Sequence, residues 1–165
     1  MPKRQNIKNF TRKKLREWLE KKTKSYKKNQ IFRADQIFFW LYKKRVKSFA
    51  EMKNLGKEMQ EFFEENFFIS SIKKLEAIFS EDGSIKFRFL LHDGQSIESV
   101  FMHHKTHNTI CVSSQVGCGM GCDFCMTATM GLLRNLETSE IIDQVLNIFN
   151  ELSEKYKLRN IVFMG

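Results

Sequence analysis

Four cysteines, Cys111, Cys118, Cys122 and Cys125, are the residues of this sequence best suited to metal or redox chemistry. They fall within fifteen residues, and the other 150 positions hold none. A disulfide framework spreads its cysteines to staple distant segments. A tight group in a cytosolic chain instead binds metal or does chemistry. The last three read Cys118-Gly119-Met120-Gly121-Cys122-Asp123-Phe124-Cys125, a C-x3-C-x2-C loop. Three thiolates on one short loop can hold three irons of a cubane cluster and leave the fourth for an outside ligand. Gly117, Gly119 and Gly121 let the backbone fold tightly and leave room for that ligand. An open iron can chelate the amino and carboxylate groups of S-adenosylmethionine and pass one electron to the sulfonium. Structural zinc is the alternative, with Cys111 or one of His103, His104 and His107 as fourth ligand. The spacing, set between a strand and a helix, favours the cluster.

The loop needs a scaffold, and the flanking pattern supplies one. Thr109 to Ser113 reads as a strand. Thr138 to about Lys155 reads as a helix with Thr138 as N-cap, Glu140 in its first turn, and Ile141, Val145, Ile148, Phe149 and Leu152 as its apolar stripe. Asn160 to Gly165 reads as a buried strand. Strand, loop, helix and strand make one βαβ unit of a parallel sheet. Such a sheet needs more strands and cover on both faces, so the chain is expected to stop partway through it. Upstream, the period is two. Asp82-Gly83 and Asp93-Gly94 mark hairpin turns around Ile85 to Leu91, with flanking strands Leu75 to Ser80 and Ser96 to His104. Glu98 shares a strand face with Val100 and Met102, so this carboxylate is either at an edge or held there for a purpose.

The first third is different. Residues 1–60 hold 19 Lys and Arg against 5 Asp and Glu, whereas residues 61–165 hold 9 against 14. Helices are expected from Thr11 (N-cap) to Lys22 and from Arg33 to Lys44, with a basic loop over Lys21 to Gln30. Ser48 and Glu51 have capping-box spacing and open a third helical stretch, which Gly56 breaks before Lys57 to Phe67. Leu15, Trp18, Leu19, Ile37, Phe38 and Leu41 face inward. Trp18, Phe38, Phe39 and Trp40 could stack on bases, but their helical spacing favours core. A polycationic unit attracts phosphate backbones, so RNA or DNA contact is expected here.

The fold expected is α+β followed by α/β, in three parts: a basic helical domain (1–68), an antiparallel β segment (69–106) and a βαβ start (107–165). The chain of 165 residues carries a net charge of +9, is 42% apolar, and has 1 Pro and 8 Gly. That excludes disordered and collagen-like classes. No apolar run approaches the ~18–20 residues needed to cross a bilayer, and Met1-Pro2-Lys3-Arg4 lacks the apolar stretch of a secretory signal. A cytoplasmic protein is expected.

The residues Val112-Ser113-Ser114-Gln115-Val116-Gly117-Cys118, Cys122-Asp123-Phe124-Cys125 and Gly131-Leu132-Leu133-Arg134-Asn135-Leu136 resemble the radical S-adenosylmethionine RNA methyltransferases of the RlmN type. Phe32 to Ile37, Trp40 to Lys44 and Ser48 to Phe67 look like the N-terminal domain of that family. Phe163-Met164-Gly165 looks like the start of its Gly-Met-Gly-Glu-Pro turn. The resemblance covers nearly the whole chain. It implies a partial (β/α) barrel of which this sequence holds the first βαβ unit. It also implies methylation of adenine carbon-2 in large-subunit rRNA and in tRNA. A [4Fe-4S] cluster, S-adenosylmethionine and an electron donor such as flavodoxin or ferredoxin come with it, in a protein expected to be monomeric.

Roles follow by the same resemblance. Cys118, Cys122 and Cys125 match the cluster ligands, and Phe124 would pack near the adenine of S-adenosylmethionine. Glu98 matches the proton-accepting carboxylate, and partial desolvation would raise its pKa for that task. Cys111 matches the resolving cysteine, which forms a disulfide with a methyl-carrying cysteine to release product. Taken by itself, Cys111 reads rather as a buried strand cysteine. No cysteine follows Cys125 in this sequence, so the chain is expected to be the N-terminal portion of such an enzyme and inactive alone. Two other readings stand beside this one. The related carbon-8 methyltransferases usually carry cysteine where Val116 stands. A zinc-stabilised RNA-binding module would need no catalysis.

Overall fold

The computed structural model describes residues 4–22, 31–152 and 157–164. The basic loop expected over 21–30 falls almost wholly outside these residues, as do the last residues of the helix expected to run to about Lys155. The chain divides into two compact units, Met1–Ser70 and Ser71–Gly165.

The first unit is helical. Strand β1 (Gln5–Asn6) pairs in parallel with β2 (Phe67–Phe68), closing the unit's two ends together. Helix α1 (Arg12–Lys22) starts where expected, the Thr11 hydroxyl accepting the Lys14 amide at 3.2 Å. Helix α2 (Ile31–Phe38) runs into a π-helical segment, Phe39–Lys44, which stops at Arg45 in the left-handed region (φ 55°). The Ser48 and Glu51 capping box forms, although it opens only a single 3-10 turn, Phe49–Glu51. Gly56 is the N-cap of α3 (Lys57–Asn66). Leu15, Leu19, Ile37, Leu41 and Phe63 are buried together, and Trp18, Phe38 and Trp40 pack against them. Burial of this apolar stripe, rather than helix propensity, holds such short helices.

The second unit is one mixed sheet of five strands, in the order β3-β4-β5-β6-β9. Its members are β3 (Ile72–Phe79), β4 (Ile85–Leu91), β5 (Ser96–His103), β6 (Asn108–Ser113) and β9 (Leu158–Met164). The first four form an antiparallel meander. β9 then joins β6 in parallel, after the crossover helix α4 (Thr138–Glu151). The meander and the βαβ unit are thus continuous: β6 belongs to both. A small hairpin, β7 (Gln115–Gly117) with β8 (Leu132–Asn135), brackets the cysteine loop and has no clear alternation in the sequence.

One sheet face packs on α4 through Phe87, Phe89, Ile97, Phe101, Ile110, Val112 and Ile148. The N-cap of α4 is Glu137, not Thr138 as expected. The reason is Glu140: its carboxylate reaches back to the Glu137 amide at 2.8 Å, so the box closes one residue earlier. No described helix is long and apolar enough to cross a membrane.

Candidate active site

Cys111 sits in the middle of β6 and pairs with Val100 on β5, two residues from Glu98. Side chains alternate along a strand, so Glu98, Val100 and Met102 share the less buried face, and the register puts Cys111 on that face too. Glu98 and Cys111 are therefore diagonal neighbours, roughly 7–8 Å apart by sheet geometry. Burial pushes the Cys111 thiol above its ordinary value, so it stays protonated near neutrality.

Glu98 departs from expectation. It is 50% exposed and pairs with Lys86 Nζ at 3.2 Å, rather than lying desolvated among apolar neighbours. Its sheet face is open among the described residues, so water and Lys86 reach the carboxylate.

The C-x3-C-x2-C loop leaves the C-terminal end of β6 through β7 and returns through β8. Its base is tightly fixed. Gly117 has φ +74° and lies so close to Gly131 that a Cβ would meet the Gly131 carbonyl oxygen at 1.9 Å. The Cys118 amide donates to that same oxygen at 3.1 Å. Cys118 is buried, Cys122 is exposed and Cys125 lies between. The Met120 amide points at Cys118 Sγ (3.5 Å). The Ala128 and Thr127 amides hold Cys125 below the ordinary thiol range. Phe124 is 94% exposed, free to contact a ligand but touching nothing that fixes it. All four cysteines are free thiols.

Among the described residues, no three His, Cys, Asp or Glu side chains converge on one point. The three thiols share a loop but are not gathered. The donor set nevertheless fits a cluster. All three candidate ligands are thiols, backbone amides at Ala128 and Thr127 favour the thiolate of Cys125, and the loop between the fixed base and Cys125 is open. The histidines considered for zinc are at the wrong end. His103, His104 and His107 surround the β5–β6 turn, and β6 at ~3.3 Å per residue carries the chain about 20 Å away before the loop begins.

Two anchors that the sequence reading did not single out fix this loop to the sheet. Gln144 is fully buried in α4. Its Oε1 accepts the Ser113 amide (2.8 Å) and the Ser99 hydroxyl (2.7 Å), and its Nε2 donates to the Ser113 carbonyl at 3.0 Å. These bonds satisfy the backbone at the point where β6 ends and the loop departs. A polar residue inside the apolar stripe of Ile141, Val145 and Ile148 was the available signal. The other anchor is Arg134 on β8. It makes a two-pronged bond to Glu140 (2.8 Å each) and a third to Asp93 at 2.7 Å. Burial would raise the Glu140 pKa, but Arg134 and the Glu137 amide hold it below the ordinary carboxylate range.

Residues 5–69 match the family model for the ribosomal RNA large subunit methyltransferase N-terminal domain. The chain is 44% identical over 161 residues to a probable dual-specificity RNA methyltransferase RlmN of Bacillus pumilus, covering 97% of this chain and 43% of that protein. By sequence, this chain carries the N-terminal domain of the RlmN family. The Aquifex aeolicus RlmN is 46% identical over 134 residues, covering 81% of this chain and 38% of its own length. The crystal structure of a radical SAM methyltransferase from Sphaerobacter thermophilus superposes with a TM-score of 0.82 at 31% identity. It covers 96% of this chain and 47% of that one. The chain spans about two fifths of the length of the RlmN relatives it matches.

Proposed function

We propose that this chain supplies the RNA-binding and cluster-holding part of a radical S-adenosylmethionine RNA methyltransferase acting on adenine carbon-2 in rRNA and tRNA. One observation carries the reading: three thiols on a loop at the C-terminal end of β6, with His103, His104 and His107 at the other end of that strand. The family-model match and the radical SAM structural relative support it. Cys118, Cys122 and Cys125 would hold a [4Fe-4S] cluster, and Phe124 would flank S-adenosylmethionine beside it. When bound, the cluster supplies the electron that cleaves S-adenosylmethionine to a radical.

The chain's own residues would do the rest. The fixed base at Gly117 and Gly131 sets where Cys118 points. Gln144 and Arg134 tie the ends of the loop to α4 and to the Asp93 turn. On the open sheet face Glu98, paired with Lys86, would accept a proton from the adenine ring. Cys111 would attack the sulfur of a second cysteine contributed by the rest of the enzyme and joined through its methylene to the adenine; the S–S bond would form as the S–CH2 bond breaks, the electron pair passing to the methylene carbon, which takes up a proton to become the methyl group. The mixed sheet would be the opening of a partial (β/α) barrel, and Val116 supports carbon-2 over carbon-8. The setting would be cytoplasmic, with a monomer drawing electrons from a flavodoxin or ferredoxin.

Anaerobic reconstitution of the 165-residue chain with iron and sulfide tests this. The expected product is brown, with equal iron and sulfide and broad visible charge-transfer absorption, all lost in Cys118→Ala. A colourless protein holding one zinc would contradict it.

A further inference from the structure

Phe32 and Phe39 are the two most exposed aromatic rings among the described residues of the basic unit. Phe32 is 70% exposed and Phe39 49%, whereas Trp18, Phe38 and Trp40 pack against buried neighbours. Seven residues is two helical turns, so both rings lie along one face, about 10 Å apart along the axis. Single exposed phenylalanines are ordinary, but an aligned pair among cations is not. Lys44 Nζ lies 5.8 Å from the Phe39 ring centroid, and Lys43 beside it is exposed. Asp35, the acid between the two rings in sequence, is already bound by Arg16 at 2.6 Å and Arg12 at 3.3 Å. The Phe39 ring meets Trp40 edge-on at 6.3 Å, and the Trp40 indole N–H donates to Asn54, which holds the ring's support in place.

We propose that Phe32 and Phe39 form a stacking platform for unpaired bases of a single-stranded RNA segment, one base to each ring, with Lys43 and Lys44 taking the neighbouring phosphates. Every base has a π-face, so rings flanked by cations bind single strands with little sequence preference. The spacing is too wide to sandwich one base and suits successive bases of an extended strand. Charge decides for RNA over a protein partner: an apolar protein patch gains nothing from 19 cations against 5 acids over residues 1–60. The proposal rests on the RNA-binding role given to this unit and names the form of RNA it takes.

The test compares two RNAs of equal phosphate number, a hairpin with a purine loop and a blunt duplex, bound to the full 165-residue chain across a salt series. Each of Phe32→Ala and Phe39→Ala is expected to weaken hairpin binding about tenfold, leaving duplex binding within about twofold. The salt slope should stay unchanged, because stacking releases no counterions, whereas Lys43→Ala with Lys44→Ala should reduce it. Phe39→Trp should keep affinity and Phe39→Leu should lose it. Equal losses on both RNAs, no loss on either, or full rescue by leucine would overturn the platform. A wild-type chain that binds neither RNA would overturn the RNA reading itself. One that binds the duplex but not the hairpin would overturn the platform alone.

Discussion

Arg134→Met should destabilise the sheet unit by about 3–5 kcal/mol, the usual result of removing one partner from a buried ion pair. The reason is Glu140. Its side chain is 1% exposed, and without Arg134 it keeps the Glu137 amide but loses both prongs of its guanidinium partner. Hydrogen exchange over residues 71–165 reads the loss, and protection should fall there while residues 4–22 stay unchanged. Arg134→Lys should recover only part, since an ammonium cannot make the two-pronged bond. Replacing both partners, Arg134→Met with Glu140→Leu, should recover most of it. The pH dependence has a definite sign. Glu140 has a depressed folded pKa, so its contribution is present above the unfolded value near ~4.3 and is lost as pH falls through the folded value. The gap between wild type and Arg134→Met should therefore be widest near neutral pH and close on acidification. A gap independent of pH would show that Arg134 acts through packing alone.

Among the described glycines, Gly117 should be the one least able to accept the methyl group that Gly117→Ala adds. At φ +74° an alanine costs ~1–2 kcal/mol for the backbone conformation alone. Its Cβ would also meet the Gly131 oxygen at 1.9 Å, and backbone cannot swing aside as a side chain can. The β7–β8 hairpin must open, and the Cys118 amide then loses its bond to Gly131. Faster exchange at that amide and loss of most iron on reconstitution are the expected readouts. Gly121→Ala is the control: φ is +66°, but no atom lies within 4 Å of the added carbon, so only the conformational cost applies. Equal iron content in the two variants would show that the hairpin base does not govern the loop.

Local rules made the elements legible. Alternation between two DG turns gave the meander, and the Thr11 cap opened its helix as read, whereas the Ser48 box closed on a single 3-10 turn. The long-range facts were only partly legible. The βαβ unit was read and its strands pair in parallel, but nothing local says that its first strand, β6, also pairs with β5. Nothing local foretells the β7–β8 hairpin, whose strands of 3 and 4 residues are too short to show a period. At the site, cysteine spacing was readable because the ligands sit on one loop. The surroundings of Glu98 were not, because solvent access depends on what covers a sheet face. Arg134 and Gln144 escaped notice because their partners come from other elements, as with the Asp93 turn 41 residues away.

The central claim is that the loop of Cys118, Cys122 and Cys125 leaves one iron open to S-adenosylmethionine. Electron paramagnetic resonance of the reconstituted, dithionite-reduced chain, recorded with and without S-adenosylmethionine, tests it most directly. The account predicts a reduced-cluster signal that shifts when S-adenosylmethionine is added and is absent in Cys122→Ala. A signal indifferent to S-adenosylmethionine, or a chain that takes up zinc and stays silent, would contradict it.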